Sequence, residues 1–265
     1  MNLEVLISTM NKKSKTQLIK DMNIANCVII NQITKKNITV ENDSNDNNQK
    51  FYSFYEKGLS KSRNIALKKS SADICVIADD DMYYEKNYEE TIISYHKKYP
   101  NIDIIAFIVE HENPKKSKKI LKQGNIGYLK SMKLQSVQLT IKRASLIKNN
   151  IYFDENFGAG SLFPWGEENI FLFDCLRKKM KILYVPCKIA TLRDTGESSW
   201  DKTNSVAHYN NQGAIYYRMS KKIYWLLIIQ FAIRKRNIYA NDIGFIKLLH
   251  AMFEGAKKYK KNYTD

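Results

Sequence analysis

The sequence is poor in the residues that staple or punctuate a fold. Only four cysteines occur in 265 residues, Cys27, Cys75, Cys175 and Cys187, and no two form a C-x-x-C pair. That spacing gives no metal-binding or dithiol motif, and it reads as reduced thiols in a cytoplasmic protein. Four prolines and ten glycines leave no Pro/Gly linker and no Gly-rich N-terminal signature of the kind that cradles a triphosphate, which weighs against a nucleotidyltransferase. No apolar run approaches the roughly 18 residues that a membrane span needs. The opening MNLEVLISTMNKK enters a strand-like run without a basic lead, long apolar core or small-residue cleavage site, so no signal peptide is expected. Acidic residues are the scarcer charge, 27 Asp+Glu against 43 Lys+Arg, for a formal net charge of +16. That excess favours anionic partners, although a lysine-coated surface accounts for it equally well. Zinc-ligand spacing and RNP-like aromatic patterns are both missing, so nucleic acid is not an expected partner.

What is present is globular: 44% hydrophobic and 12% aromatic residues, in a chain long enough for one large domain. Over the first half, short buried strands alternate with helices. Strands are expected at 3–7, 27–30, 51–55, 74–79 and 102–110, and helices at 15–22, 59–69 and 87–98. The polar run ENDSNDNNQK (41–50) reads as a surface loop. This alternation predicts an α/β unit with a mostly parallel central sheet. The second half is less regular: a basic, loop-rich 115–133, strands at 137–141 and 182–186, and a helix at 168–179. Residues 1–219 are expected to form the catalytic domain, and 220–265 a basic helical extension.

In such sheets ligands bind beyond the carboxyl ends of the strands. Three polar clusters fall at such ends: Ser8-Thr9, Asn31-Gln32, and the run Asp79-Asp80-Asp81 that closes ICVIADDD. One aspartate there would be an ordinary turn or cap residue. Three in a row after five apolar residues are costly to bring together without a cation, and oxygen ligands suit Mg²⁺ or Mn²⁺. Mg²⁺ takes one or two carboxylates together with substrate phosphates, which implies a nucleoside-diphosphate compound. A haloacid-dehalogenase phosphatase also carries D-x-D, but after its first strand, with Thr or Val where Tyr83 stands here.

The segment EKGLSKSRNIALKKSSADICVIADDDM resembles glycosyltransferase family 2, with Gly58, Arg63, Asn64 and Ala66 at the family's spacing to the D-x-D. Further on, YFDENFGAGSLFPWGEENIFLFDCLRKKMKILYVP is similar to the family's F-D-E-x-F-G, then G-E-D at a helix start, then K-I-x-Y-V-P. The resemblance spans roughly residues 3–190 and rests on several motifs in order. It implies a GT-A fold and an inverting, metal-dependent sugar transfer from a nucleotide-sugar, with a UDP-sugar expected. The acceptor would be a hydroxyl of a glycan or of a polyprenyl-diphosphate-linked chain, in the synthesis of a surface polysaccharide such as capsule. By the same resemblance Ser8, Thr9, Asn31, Gln32, Arg63, Asp79 and Asp80 would hold the nucleotide-sugar, and Asp81 would ligate Mn²⁺ or Mg²⁺. Asn31 or Gln32 stands where many members carry an aspartate that reads uracil. Glu168 would be the catalytic base, with Glu167 beside it, one methylene longer than the family's aspartate. Both acids also suit a helix N-terminus. Trp165 would stack on an acceptor sugar or serve as core. A loop over 193–213 would close over the donor, with His208 as a metal ligand or as a structural residue. The alternatives are a catalytically inactive or regulatory nucleotide-sugar-binding protein and a nucleotidyltransferase.

One apolar segment lies in the extension. SKKIYWLLIIQFAIRKR (220–236) carries an apolar core bracketed by Lys221-Lys222 and Arg234-Lys235-Arg236. It reads either as a helix packed on the catalytic domain or as a contact with an anionic membrane surface, which would put the protein at the inner face of the cytoplasmic membrane.

Overall fold

The computed structural model describes residues 1–35, 43–46, 48–116, 120–194, 205–240 and 242–263. Its framework is set by strands that are apolar on both faces. In β5 (Ile74–Asp79), Ile74, Val76 and Ala78 face one core cluster while Cys75 and Ile77 face another. β1 (Leu3–Met10) does the same with Val5 and Ile7 on one side and Leu6 on the other. Burial on both faces is what a central strand between two layers requires, and it explains the continuous apolar runs.

β1 pairs in parallel with β2 (Cys27–Gln32) and with β5, and β2 pairs in parallel with β4 (Gln49–Phe54). Beyond β5 the sheet becomes mixed. β9 (Leu139–Lys142) inserts antiparallel between β5 and β7 (Ile104–His111), and β7 then pairs in parallel with β10 (Ile182–Leu192). With β3 at Ser44–Asp46 and β6 at Met82–Tyr84, the order is β3-β4-β2-β1-β5-β9-β7-β10-β6, and β8 (Gly124–Asn125) is also on β10. β6 (Met82–Tyr84) returns antiparallel on β10 immediately after the triple aspartate. Strand direction cannot be read from an apolar run, which is why β9 alters the expected sheet.

Helices α1 (Lys15–Met22), α2 (Leu59–Lys69) and α3 (Tyr88–Lys98) stand where their spacing predicts. The run 41–50 differs from the expected loop. Ser44–Asp46 forms the short strand β3, antiparallel to β4, and Lys50 is buried against Glu4 at 2.7 Å. The expectation failed because Lys50 buries its stem while its ammonium finds a carboxylate, a partner 46 residues away. Beyond the short helices α4 (Tyr128–Ser131) and α5 (Arg143–Asn149), α6 (Glu167–Arg177) covers the second face of the sheet, with Phe171, Leu172 and Cys175 in its core.

A third cluster lies outside the sheet. α7 (Val206–Met219), α8 (Tyr224–Arg234), α9 (Arg236–Tyr239) and α10 (Phe245–Tyr263) pack together and onto Phe157, Ile170 and Phe173. Of the expected 193–213 loop, 195–204 lies outside the described residues, whereas 206–213 is the start of α7. Its polar, Gly-containing sequence, VAHYNNQG, hides a helix because Gly213 is there for packing. A Cβ on Gly213 would meet the Met252 carbonyl oxygen at 1.8 Å, and one on Gly255 would meet the Asn210 carbonyl oxygen at 1.8 Å. The two glycines let α7 and α10 touch backbone to backbone. Gly255→Val should therefore force the helices apart, lowering thermal stability by several degrees and exposing α10 to limited proteolysis. An unchanged melting temperature and digestion pattern would show that the crossing tolerates a side chain.

Candidate active site

The three polar clusters predicted at strand ends do share one edge. Ser8 lies in register with Asp79, and Thr9 with Asn31. Thr9 Oγ1 donates to Asp80, whose carboxylate also meets Lys12 Nζ at 3.2 Å. Ser8 Oγ accepts from Ser62 Oγ at 2.8 Å, and Gln32 Nε2 donates to the Gly58 carbonyl at 3.1 Å. Both contacts tie the strand ends to the start of α2. Asn31 is fully buried and clamps the Lys12 backbone, donating to its carbonyl at 2.8 Å and accepting from its N–H at 2.9 Å. Its amide thereby fixes the turn after β1 that carries Lys12.

The first half of α2 turns polar side chains inward, with Ser60, Ser62, Arg63 and Asn64 all buried ahead of the apolar Ala66 and Leu67. Arg63 is 1% exposed and spans two distant segments. Its Nη2 donates to Asp79 at 3.0 Å and its Nη1 to Glu167 at 2.9 Å. Burial opposes the guanidinium charge, but Asp79, Glu167 and Glu168 outweigh it and hold the pKa above the ordinary arginine value. The neighbouring Asn64 works the same way on a third segment. It donates to the Phe153 carbonyl and to Glu155, and accepts from the Phe153 N–H at 2.9 Å. An Arg-Asn pair on one helix thus fixes the aspartate strand end, the FDE segment and the acids of α6. The Arg63 guanidinium is spent on protein carboxylates, a positioning role beside the expected nucleotide contact.

Glu167 and Glu168 open α6 behind Gly166, which adopts a left-handed conformation (φ +91°). A side chain there would also strike Ile215 of α7 at 2.7 Å, so the turn before the acids needs glycine on both counts. Glu167 is buried on Arg63, whereas Glu168 is half-buried at the helix start. Carboxylates at this position are favoured by the helix dipole. Trp165, just before them, stacks on His208 of α7 with ring centroids 4.5 Å apart and planes at 28°. The structure therefore joins Trp165 to His208 and to the helical cluster, one of the two roles foreseen for each.

Asp81 is the acid best suited to a cation. Its carboxyl is mostly buried, and its Oδ1 has no hydrogen-bond partner. Burial first, then the charges of Asp79 and Asp80, push its pKa up to about 6. A divalent ion relieves both penalties, so the chemistry of this oxygen fits Mg²⁺ or Mn²⁺. Among the described residues, no three His, Cys, Asp or Glu side chains converge to hold a metal without a substrate. Sequence reasoning missed two cations at this edge. Lys12 sits on Asp80, and Arg193 donates its backbone N–H to the Asp81 carbonyl at 2.9 Å and lays its guanidinium over Tyr83. Both follow strands that end here, β1 and β10, which was the available signal. A cavity of about 610 Å³ between α1 and α3 lies at the amino ends of β2 and β4, and none of these residues lines it.

The family model for glycosyl transferase family 2 matches residues 31–162, a stretch holding Asn31, Arg63 and the triple aspartate. This chain is a family 2 glycosyltransferase. Its matched stretch ends before Glu167 and Glu168, so those two acids rest on the geometry above. The enzyme's fold is of the GT-A type. Residues 1–349 of TarS from S. aureus, crystallised in complex with UDP-GlcNAc, resemble it with a TM-score of 0.64 at 16% identity, covering 98% of this chain and 90% of that one. A second crystal structure of TarS residues 1–349 from S. aureus gives a TM-score of 0.62 at 13% identity, covering 98% of this chain and 83% of that one. A longer TarS structure gives 0.64 at 13% identity, again over 98% of this chain, but the glycosyltransferase spans only 50% of it. No curated protein matches the chain by sequence.

Proposed function

We propose that this glycosyltransferase moves a sugar from a UDP-sugar to a hydroxyl of a glycan or lipid-linked acceptor, with inversion, in the synthesis of a surface polysaccharide. The observation that carries the reading is the Arg63 bridge. It joins the Asp79 end of β5 to the Glu167-Glu168 helix start, two acidic sites 88 residues apart, on one edge of the sheet. The UDP-GlcNAc complex of TarS supports the choice of a uridine donor.

Thr9, Asp79 and Asp80 line the strand ends against which the nucleotide would lie, and Trp165 borders the acids on the acceptor side. Glu168 takes the proton from the acceptor hydroxyl as general base. That oxygen attacks the anomeric carbon as the bond to the diphosphate breaks on the opposite face, which inverts the configuration without a covalent enzyme intermediate. Lys12 and Arg193 supply positive charge at the edge where the diphosphate departs. Asp81 would hold Mg²⁺ or Mn²⁺, and the ion would supply further neutralisation of the leaving diphosphate.

Thermal shift with UDP, GDP, TDP and CMP, each with and without Mn²⁺, tests donor and metal together. The wild type should be stabilised most by UDP with Mn²⁺. Asp81→Ala should lose the metal-dependent part of that shift and turnover of UDP-sugar, while melting normally without ligand. Equal turnover in the two proteins would remove Asp81 from the metal site.

A further inference from the structure

Of the 21 large hydrophobic side chains that are exposed among the described residues, nine fall within 223–253. On α8 they are Trp225, Leu226, Ile229 and Ile233, at spacings i, i+1, i+4 and i+8, which is a single stripe on a helix. The inward stripe is separate: Leu227, Ile228 and Ala232 are buried in the helical cluster. α8 is thus apolar on two faces, one packed and one outward. α10 exposes Phe245, Ile246 and Phe253 at i, i+1 and i+8, with the half-buried Leu249 between them packed against the cluster, while Leu248 and Met252 go inward. The two helices pack together, and the Tyr224 ring meets Phe253 at 6.3 Å.

The charge around these stripes has one sign. Residues 220–263 hold ten Lys and Arg against Asp242 and Glu254. Lys221, Lys222, Arg234, Lys235 and Arg236, which bracket α8, are all exposed. Among the described residues none of these five makes an ion pair. A patch of aromatic and aliphatic side chains this large needs a cover. Its cationic rim selects what the cover is made of. No helix among the described residues is long and apolar enough to cross a membrane, so a bilayer cover would be met at its surface and not spanned.

We propose that α8 and α10 together form a docking face for an anionic lipid bilayer, with both apolar stripes in the headgroup boundary and the five bracketing cations on lipid phosphates. Neither stripe of large apolar groups belongs to the sugar-transfer site, so the inference stands whichever sugar is moved. It also reconciles the two readings of 220–236: the helix is packed on one side and free on the other.

Vesicle co-sedimentation with the full chain tests it, using phosphatidylcholine vesicles with and without phosphatidylglycerol. Binding should favour the phosphatidylglycerol vesicles, weaken between 0.1 and 0.5 M salt by charge screening (roughly a 10 Å screening length at the lower value), and shift the Trp225 emission to the blue. Changing Lys221, Lys222, Arg234, Lys235 and Arg236 to Gln should reduce partition by about a hundredfold or more. Ile229→Ser with Ile233→Ser and Ile246→Ser should abolish the emission shift. These side chains are exposed, so melting temperature should stay near the wild type in both variants. Equal partition to both vesicle types overturns the proposal. So does a stable oligomer in sedimentation that the three serine changes dissolve, because a second copy of the chain would then cover the face.

Discussion

Glu168→Gln should bind donor as the wild type does and lose transfer by roughly two to four orders of magnitude, the usual cost of deleting a general base. The amide keeps the size and polarity of the side chain at the start of α6 but takes no proton. Isothermal titration with UDP and Mn²⁺, beside initial rates with a UDP-sugar and acceptor, separates binding from chemistry. The control is Glu167→Gln. That side chain is buried on Arg63, so its loss should act through fold and alignment, lowering stability together with rate. If Glu167→Gln abolishes transfer at normal stability while Glu168→Gln is mild, the two acids exchange roles.

Arg63→Met should be the most destabilising single change in the site. It keeps much of the side-chain volume but leaves Glu167, 2% exposed, without its cation. Removing one partner of a buried ion pair costs about 3–5 kcal/mol, because the remaining charge stays desolvated. For a domain of this size that is a fall in melting temperature of roughly 10 °C. Adding Glu167→Gln should recover a large part of the loss, since the stranded charge is then gone. A single variant that melts within a degree of the wild type would show that Glu167 reaches water or another cation once Arg63 is removed. Asp79 is a weaker test, as its carboxylate is 37% exposed and can be solvated instead.

These effects come from contacts that no local pattern announces. α2 was legible as a helix from Leu59 to Lys69, yet its buried side adds Ser60, Ser62, Arg63 and Asn64 to the apolar Ala66 and Leu67. Periodicity could find the helix but not what its polar face holds. The Arg-Asn pair was recognisable through its spacing to the D-x-D. That each residue reaches across 16 to 104 positions to a separate segment became visible only in three dimensions.

The sequence by itself determined the doubly buried strands β1, β2 and β5, the helices between them, the acids at their ends and the paired glutamates opening α6. Each of these is encoded locally, by an unbroken apolar run, a 3.6-residue period or a charge cluster at a boundary. Tertiary structure decided the antiparallel β9 between β5 and β7, because a short apolar strand carries no mark of direction or neighbour. It decided that Lys50 is buried, because only Glu4, distant in the chain, makes that burial affordable. It decided that VAHYNNQG is helical, because Gly213 weakens a helix in isolation and strengthens it only where α10 comes close enough to need the missing side chain.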